Sequence, residues 1–145
     1  MKASKILNIS ISILGLILII VAFKTEEPWK ANQLLAPSEL ANNLNDTKAK
    51  HPLIISIGED ALIKGSIQIG AITKTENVVK LKILLSETEK SIAIVVYCGC
   101  CPFEDCPNIR PAFELLNSFE FTNHKLLDLP HNIKVDWIDK GYPIN

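Results

Sequence analysis

The chain has 145 residues, of which 48% are hydrophobic and 21% are charged, and its net charge at pH 7 is −1. This composition excludes an intrinsically disordered chain. Because Arg110 is the only arginine among the 15 basic residues, the composition also argues against nucleic acid as a partner.

The N-terminus has the pattern of a targeting segment. Lys2 and Lys5 precede an almost entirely apolar run at residues 6–23, and Glu26 and Glu27 follow it. This charge order predicts that the N-terminus stays inside and that the rest of the chain is exported to the periplasm or a comparable extracytoplasmic space. No small-x-small cleavage motif follows the run, which favours a transmembrane anchor over a signal peptide.

Residues 1–27 are therefore interpreted as a signal peptide or N-terminal membrane anchor, and residues 28–145 as one domain. A domain of that length can bury a core without a metal or a disulfide.

Within the domain, short apolar runs alternate with amphipathic ones. Helices are predicted at residues 38–44, 77–88, 111–117 and 133–140, and strands at residues 53–57, 65–72, 92–97 and 125–129. Ser38 is the predicted N-cap of the first helix. Strands that alternate with helices indicate an α/β fold with a parallel sheet and helices on both faces.

All four cysteines lie within nine residues, which points to local chemistry rather than a disulfide framework. They are Cys98, Cys100, Cys101 and Cys106. Cys98 directly follows the apolar strand 92–97, and sites in parallel sheets form at the carboxyl ends of strands. Backbone N–H groups and the next helix dipole are expected to lower the pKa of Cys98 and make it a nucleophile. The alternative is a small buried residue that ends a strand.

Several segments together resemble the rhodanese-like sulfurtransferase family. Cys98 follows the strand sequence at 94–97, and Arg110 opens the next helix after a loop. An aromatic-Thr-Asn turn at 121–123 and a Trp-x-x-x-Gly-x-Pro ending at 137–143 are similar to that domain. The resemblance extends over about residues 37–144.

The resemblance implies a three-layer domain with a five-stranded parallel sheet, in which Cys98 accepts a sulfane sulfur as a persulfide. The donor would be thiosulfate or a persulfide, and the acceptor a thiol or a cyanide-like nucleophile. No metal or organic cofactor is implied. The implied substrate-binding residues are Gly99, Cys100, Cys101 and Arg110.

The loop departs from the family pattern and leaves other functions open. It places ten residues between Cys98 and Ile109 and includes Glu104 and Asp105, which would repel an anionic donor if they faced the pocket. Cys98 and Cys101 form a C-x-x-C, which is typical of thiol-disulfide oxidoreductases or redox sensors.

Two further roles remain for the cysteines of the loop. Cys100, Cys101 and Cys106 are candidate resolving or disulfide-forming residues. The four thiols are also candidate ligands for zinc or copper in a non-enzymatic module of the same fold.

We expect the histidines and Trp137 to have structural rather than functional roles. His51, His124 and His131 have no partner at a recognisable spacing and are expected at the surface. Trp137 is expected in the core.

Overall fold

The computed structural model describes residues 26–145, which form a single sheet flanked by helices. The strands are β1 (Leu34–Leu35), β2 (Leu53–Ser56), β3 (Ile67–Gln68), β4 (Ile94–Tyr97) and β5 (His124–Leu127). The α-helices are α1 (Pro37–Asn45), α2 (Thr75–Ser86) and α3 (Ile109–Ser118). Short 3₁₀-helices span Ala31–Gln33 and Phe103–Asp105, and a π-helix spans Lys134–Ile138.

The predicted targeting run at residues 6–23 lies outside the described residues. Within residues 26–145, no helix has the length and apolar character needed to cross a membrane.

The five strands are all parallel and lie in the order β1-β5-β4-β2-β3. Strand β4 is central: Ile94 pairs with Leu53 of β2 on one side and with His124 of β5 on the other. The predicted α/β architecture with a parallel five-stranded sheet is thus confirmed. It brings the residues that follow β2, β4 and β5 to one edge of the sheet.

Alternating residues of the strands build two cores. Ile55 and Val96 belong to a cluster with residues of α2 and α3, whereas Ile54 and Val95 belong to a second cluster with α1 and the π-helix. The period of two along each strand sends successive side chains to opposite faces, so a run that is apolar throughout is buried on both. Trp137 lies in the second cluster and is fully buried, as predicted.

Three local predictions were wrong in their details. The strand predicted at 65–72 shortens to Ile67–Gln68, because Gly65 and Gly70 adopt positive φ angles of 76° and 90° that turn the backbone. Ser38 is not the N-cap: Ala36 occupies that position without a side-chain bond, and Pro37 starts the helix. The helix predicted at 133–140 is a single π-helical turn.

The prediction that His124 lies at the surface was also wrong. Its side chain is buried, and its Nε2 lies 2.8 Å from Asn117 Oδ1 and 3.2 Å from Gln33 Nε2. Burial lowers the pKa of His124 below its ordinary value. The ring therefore acts as a neutral bridge between α3 and the 3₁₀-helix at Ala31–Gln33.

Candidate functional site

The candidate site lies in the loop between the central strand β4 and α3. Cys98 follows β4 directly, and the loop that it opens returns to the sheet through two backbone hydrogen bonds. The N–H of Phe103 donates to the carbonyl of Leu129 (3.1 Å), and the N–H of Ile133 donates to the carbonyl of Gly99 (3.0 Å). These bonds fix both the start and the middle of the loop against the segment that follows β5.

The loop gathers its thiols into one cluster. Cys98 Sγ lies 3.4 Å from Cys100 Sγ, and Cys100 Sγ lies 3.3 Å from Cys101 Sγ. The Sγ atoms of Cys98, Cys100 and Cys106 all lie within 4.8 Å of one another. Cys98 and Cys106 are buried, Cys100 is exposed, and all four cysteines are free thiols. The sequence predicted that the four cysteines belong to one local site rather than to a disulfide framework, and this geometry is consistent with that prediction.

The pKa values of the cysteines in this cluster are shifted in different directions. A hydrogen bond from the Cys98 thiol, together with the backbone N–H groups of Asn108 and Ile109, lowers the pKa of Cys106 to about 5 against the opposing effect of burial. The same shared hydrogen bond, followed by burial, raises the pKa of Cys98 well above its ordinary value. Burial and its contact with Cys100 raise the pKa of Cys101 to about 12.

The sequence predicted a lowered pKa at Cys98, but the amide groups at the start of α3 stabilise a thiolate at Cys106 instead. Cys106 lies three residues before the first residue of α3, and its sulfur is close to the N–H groups of Asn108 and Ile109 at that helix end. The interaction between the two groups thus lowers the pKa of Cys106 and raises that of Cys98.

Two glycines allow the backbone to pack closely around Cys98. A Cβ at Gly99 would lie 2.8 Å from Ile133 Cβ, and a Cβ at Gly58 would lie 3.3 Å from the Gly99 nitrogen and 3.7 Å from Cys98 Sγ. The N–H of Ile57 donates to the carbonyl of Tyr97 (2.9 Å), which extends the pairing of β2 and β4 as far as Gly58. Gly99, predicted to bind substrate, is thus also required for packing.

A cleft of about 120 Å³ adjoins the cluster on the side of the exposed thiol. Gly99 and Cys100 line it together with the acidic residues Glu59 and Asp60. The buried Ser56 hydroxyl donates to the Asp60 carbonyl (2.7 Å) and fixes the turn that carries both acids. These carboxylates give the mouth of the site a negative charge.

Sequence reasoning did not identify Glu59 and Asp60 as site residues. They follow the end of β2, and the parallel pairing of β2 with β4 brings that end beside Cys98. The available signal was that two predicted buried strands, 53–57 and 92–97, each end in a loop that carries polar or reactive residues.

Arg110, predicted to bind substrate, has other partners. Its guanidinium donates to Glu27 Oε1 (2.7 Å) and to the carbonyl of Glu104 (2.8 Å), and it lies over the Trp29 ring at 5.6 Å. Among the hydrogen bonds of residues 26–145, none joins Arg110 to the cysteine cluster. Arg110 ties the segment before β1 to the loop, and its predicted role in anion binding stays a prediction.

The sequence also suggested that Cys98 and Cys101 act together as a C-x-x-C pair. Cys98 contacts Cys100 rather than Cys101, and Cys101 is not a member of the group of three sulfurs within 4.8 Å. Cys101 instead contacts the exposed Cys100. The sulfurs that lie nearest to Cys98 are therefore those of Cys100 and Cys106 rather than that of Cys101.

Comparison of the sequence with protein-family models and with curated proteins finds no match.

Proposed function

We propose that the chain is a sulfurtransferase of the rhodanese type, in which Cys98 carries a sulfane sulfur as a persulfide and passes it to a thiophilic acceptor. The observation that carries the proposal is the position of Cys98 at the carboxyl end of the central parallel strand, where the backbone N–H of Cys100 opposes the rise in the pKa of its thiol. A backbone N–H aimed at that sulfur stabilises the negative charge that develops there during transfer.

The transfer consists of two displacements at sulfur. Cys98 loses its proton to solvent, and the Cys98 thiolate attacks the sulfane sulfur of the donor. A new S–S bond forms as the donor S–S bond breaks, and the electron pair leaves with the donor as a thiolate. The acceptor thiolate then attacks the outer sulfur of the persulfide, and the Cys98 thiolate leaves.

The charges around the cleft favour a thiol persulfide over thiosulfate as the donor. Glu59 and Asp60 line the cleft beside Cys100, and a dianion entering there would be repelled. The guanidinium of Arg110, the cation that the resemblance assigns to the donor, is paired with Glu27. A low-molecular-weight persulfide carries less negative charge and presents an uncharged outer sulfur when protonated.

The experiment is an intact-mass measurement on the full chain in detergent, reduced, then exposed separately to glutathione persulfide and to thiosulfate, with cyanide added last. We expect the gain of one sulfur from the persulfide, peptide mapping of that sulfur to Cys98, and its discharge as thiocyanate. Cys98→Ser should gain none. Sulfur gain by Cys98→Ser equal to that of the unsubstituted chain, or no gain by either, would refute the proposal.

A second candidate function is thiol-disulfide exchange, and the specific observation that favours it is the 3.4 Å separation of Cys98 Sγ and Cys100 Sγ. An S–S bond is about 2.05 Å long, so the two sulfurs need to close by only about 1.3 Å. With a small disulfide such as oxidised glutathione added as the oxidant, loss of two hydrogens between Cys98 and Cys100, together with no sulfur gain from the persulfide, would favour this function. Cys101→Ser should not prevent that disulfide.

We also propose that the domain works on the extracytoplasmic side of a membrane, held by residues 6–23. The apolar run and its flanking charges support this proposal. The exposed Cys100 thiol allows a test in intact expressing cells with a membrane-impermeant maleimide. Labelling of the unsubstituted chain but not of a Cys100→Ser chain is expected, whereas labelling only after cell lysis would refute the proposed location.

A further inference from the structure

Three sulfur atoms converge on one point from separate positions in the loop. Cys98 ends β4, Cys100 follows two residues later, and Cys106 precedes α3, yet their Sγ atoms lie within 4.8 Å of one another. A metal–sulfur bond is about 2.3 Å long, so three sulfurs arranged in a plane around one ion stand about 4 Å apart. The cluster therefore already has the size of a three-sulfur metal site.

We propose that the sulfurs of Cys98, Cys100 and Cys106 bind one copper(I) ion in a trigonal site. Each of the three supplies one thiolate, and the group contains no histidine nitrogen and no carboxylate oxygen. Soft thiolate ligands select copper(I), whereas structural zinc is almost always held by four ligands. Cys101 contacts Cys100 but is not among the three sulfurs that all lie within 4.8 Å of one another, so we assign three ligands and leave Cys101 outside the site.

The surroundings favour a cation that arrives from outside. Cys100 is exposed and forms part of the cleft that Glu59 and Asp60 line, whereas Cys98 and Cys106 are buried behind it. Negative charge at the mouth attracts a metal ion and repels anionic competitors. A copper(I) donor can thus transfer the ion first to Cys100 and then to the two buried sulfurs. The backbone hydrogen bonds of Phe103 and Ile133 hold the loop in place.

Copper binding goes beyond the proposed sulfur transfer and excludes it while the ion is bound. Cys98 belongs to both sites, and a sulfur held by the metal is not free to attack a donor. The protons displaced from the thiols are released to solvent, and the ion enters and leaves as copper(I) without a redox step.

The test uses the full chain in detergent, reduced and kept free of oxygen and of added thiols. Copper(I) is titrated in the presence of bicinchoninate, a coloured chelator that competes for it. We expect the chain to withdraw one copper(I) per molecule. Cys100→Ser should lower the affinity at least about tenfold, because one of three ligands is lost. Cys101→Ser is the matched control, since it makes the same change at the next residue, and it should retain the affinity of the unsubstituted chain.

Equal affinity in Cys100→Ser and the unsubstituted chain, or equal losses in Cys100→Ser and Cys101→Ser, would overturn the proposal. Because Cys100 is exposed, its substitution does not disturb the core. X-ray absorption of the copper-loaded chain gives an independent count: three sulfur neighbours at about 2.3 Å are expected, and two would overturn the trigonal site. The chelator readout is independent of sulfur loading, so copper binding without persulfide formation would refute only the proposed sulfur transfer.

Discussion

Replacing Gly99 with alanine should destabilise the fold at the point where the cysteine loop meets the π-helix. The new Cβ would lie 2.8 Å from Ile133 Cβ and 2.9 Å from Ile133 Cγ2. Carbon atoms in contact prefer about 3.5 Å, so the backbone or Ile133 has to move by about 0.7 Å. Overpacking of this kind costs about 1–3 kcal/mol in the free energy of unfolding.

The displacement also reaches the thiols, because Gly99 lies between Cys98 and Cys100. A shift approaching 1 Å in a positioned reactive group can slow a reaction by about a hundredfold. We therefore expect Gly99→Ala to form the Cys98 persulfide at least about tenfold more slowly. The loss of stability should be measured by urea unfolding followed by tryptophan fluorescence, and the loading rate by intact mass.

Gly65→Ala is the matched control. A Cβ at Gly65 meets nothing within 4 Å, but the residue has a φ angle of +76°, so alanine is strained there by about 1 kcal/mol or more without touching the loop. Both variants should be less stable than the unsubstituted chain, but only Gly99→Ala should form the Cys98 persulfide more slowly. A Gly99→Ala chain within about 0.5 kcal/mol of the unsubstituted one, or equal loading losses in both variants, would refute the reasoning.

Three other predictions concern the thiolate and the segment after β5. Because the pKa of Cys106 is lowered to about 5, the ultraviolet absorbance of one thiolate should persist at neutral pH and titrate near that value; a Cys106→Ser chain with the same titration would contradict this assignment. Asp136 accepts hydrogen bonds from the N–H groups of His131 (2.7 Å) and Asn132 (3.0 Å), so Asp136→Asn should cost about 1.5–3 kcal/mol at neutral pH in urea unfolding. Although burial opposes it, these bonds hold the pKa of Asp136 below its ordinary value. The stabilisation by Asp136 is therefore present above that ordinary pKa and is lost as the pH falls through the pKa of the folded state. A stability difference between Asp136→Asn and the unsubstituted chain that persists below that pKa would refute the linkage. Trp137→Ala should destabilise the fold by about 3–5 kcal/mol because the side chain is fully buried, whereas Ile138→Ala, at an exposed position, should change stability by less than about 1 kcal/mol in the same assay.

Local sequence pattern was sufficient to predict the architecture of the domain. The runs at 53–57 and 92–97 are apolar apart from Ser56, and such runs are typical of strands buried on both faces in an alternating α/β chain. Their parallel direction follows from the alternation of strands and helices, whereas their pairing with each other is known only from the structure. The same reasoning located Cys98 at a strand end, since the residue that follows a central strand lies at the edge where sites form.

Two parts of the fold were not predictable in this way. Strand β1 has two residues, too few for any periodicity, and it is a strand only because Leu34 and Leu35 pair with Leu126 and Leu127 of β5. The polarity of His124 suggested the surface, but the ring is buried with its Nε2 2.8 Å from Asn117 Oδ1, while its Nδ1 has no hydrogen-bond partner among the described residues.

The sequence by itself determined that four thiols share one loop at the end of a buried strand, because that depends only on chain order. The tertiary structure decided which thiols meet: Cys98 contacts Cys100, and its sulfur lies within 4.8 Å of the sulfur of Cys106, a residue eight positions away along the chain. It also decided the charge of the site, because Glu59 and Asp60 reach the cleft through strand pairing. Distances and electrostatic fields depend on positions in space, and a ten-residue loop has many paths between its two ends until packing against Leu129 and Ile133 selects one.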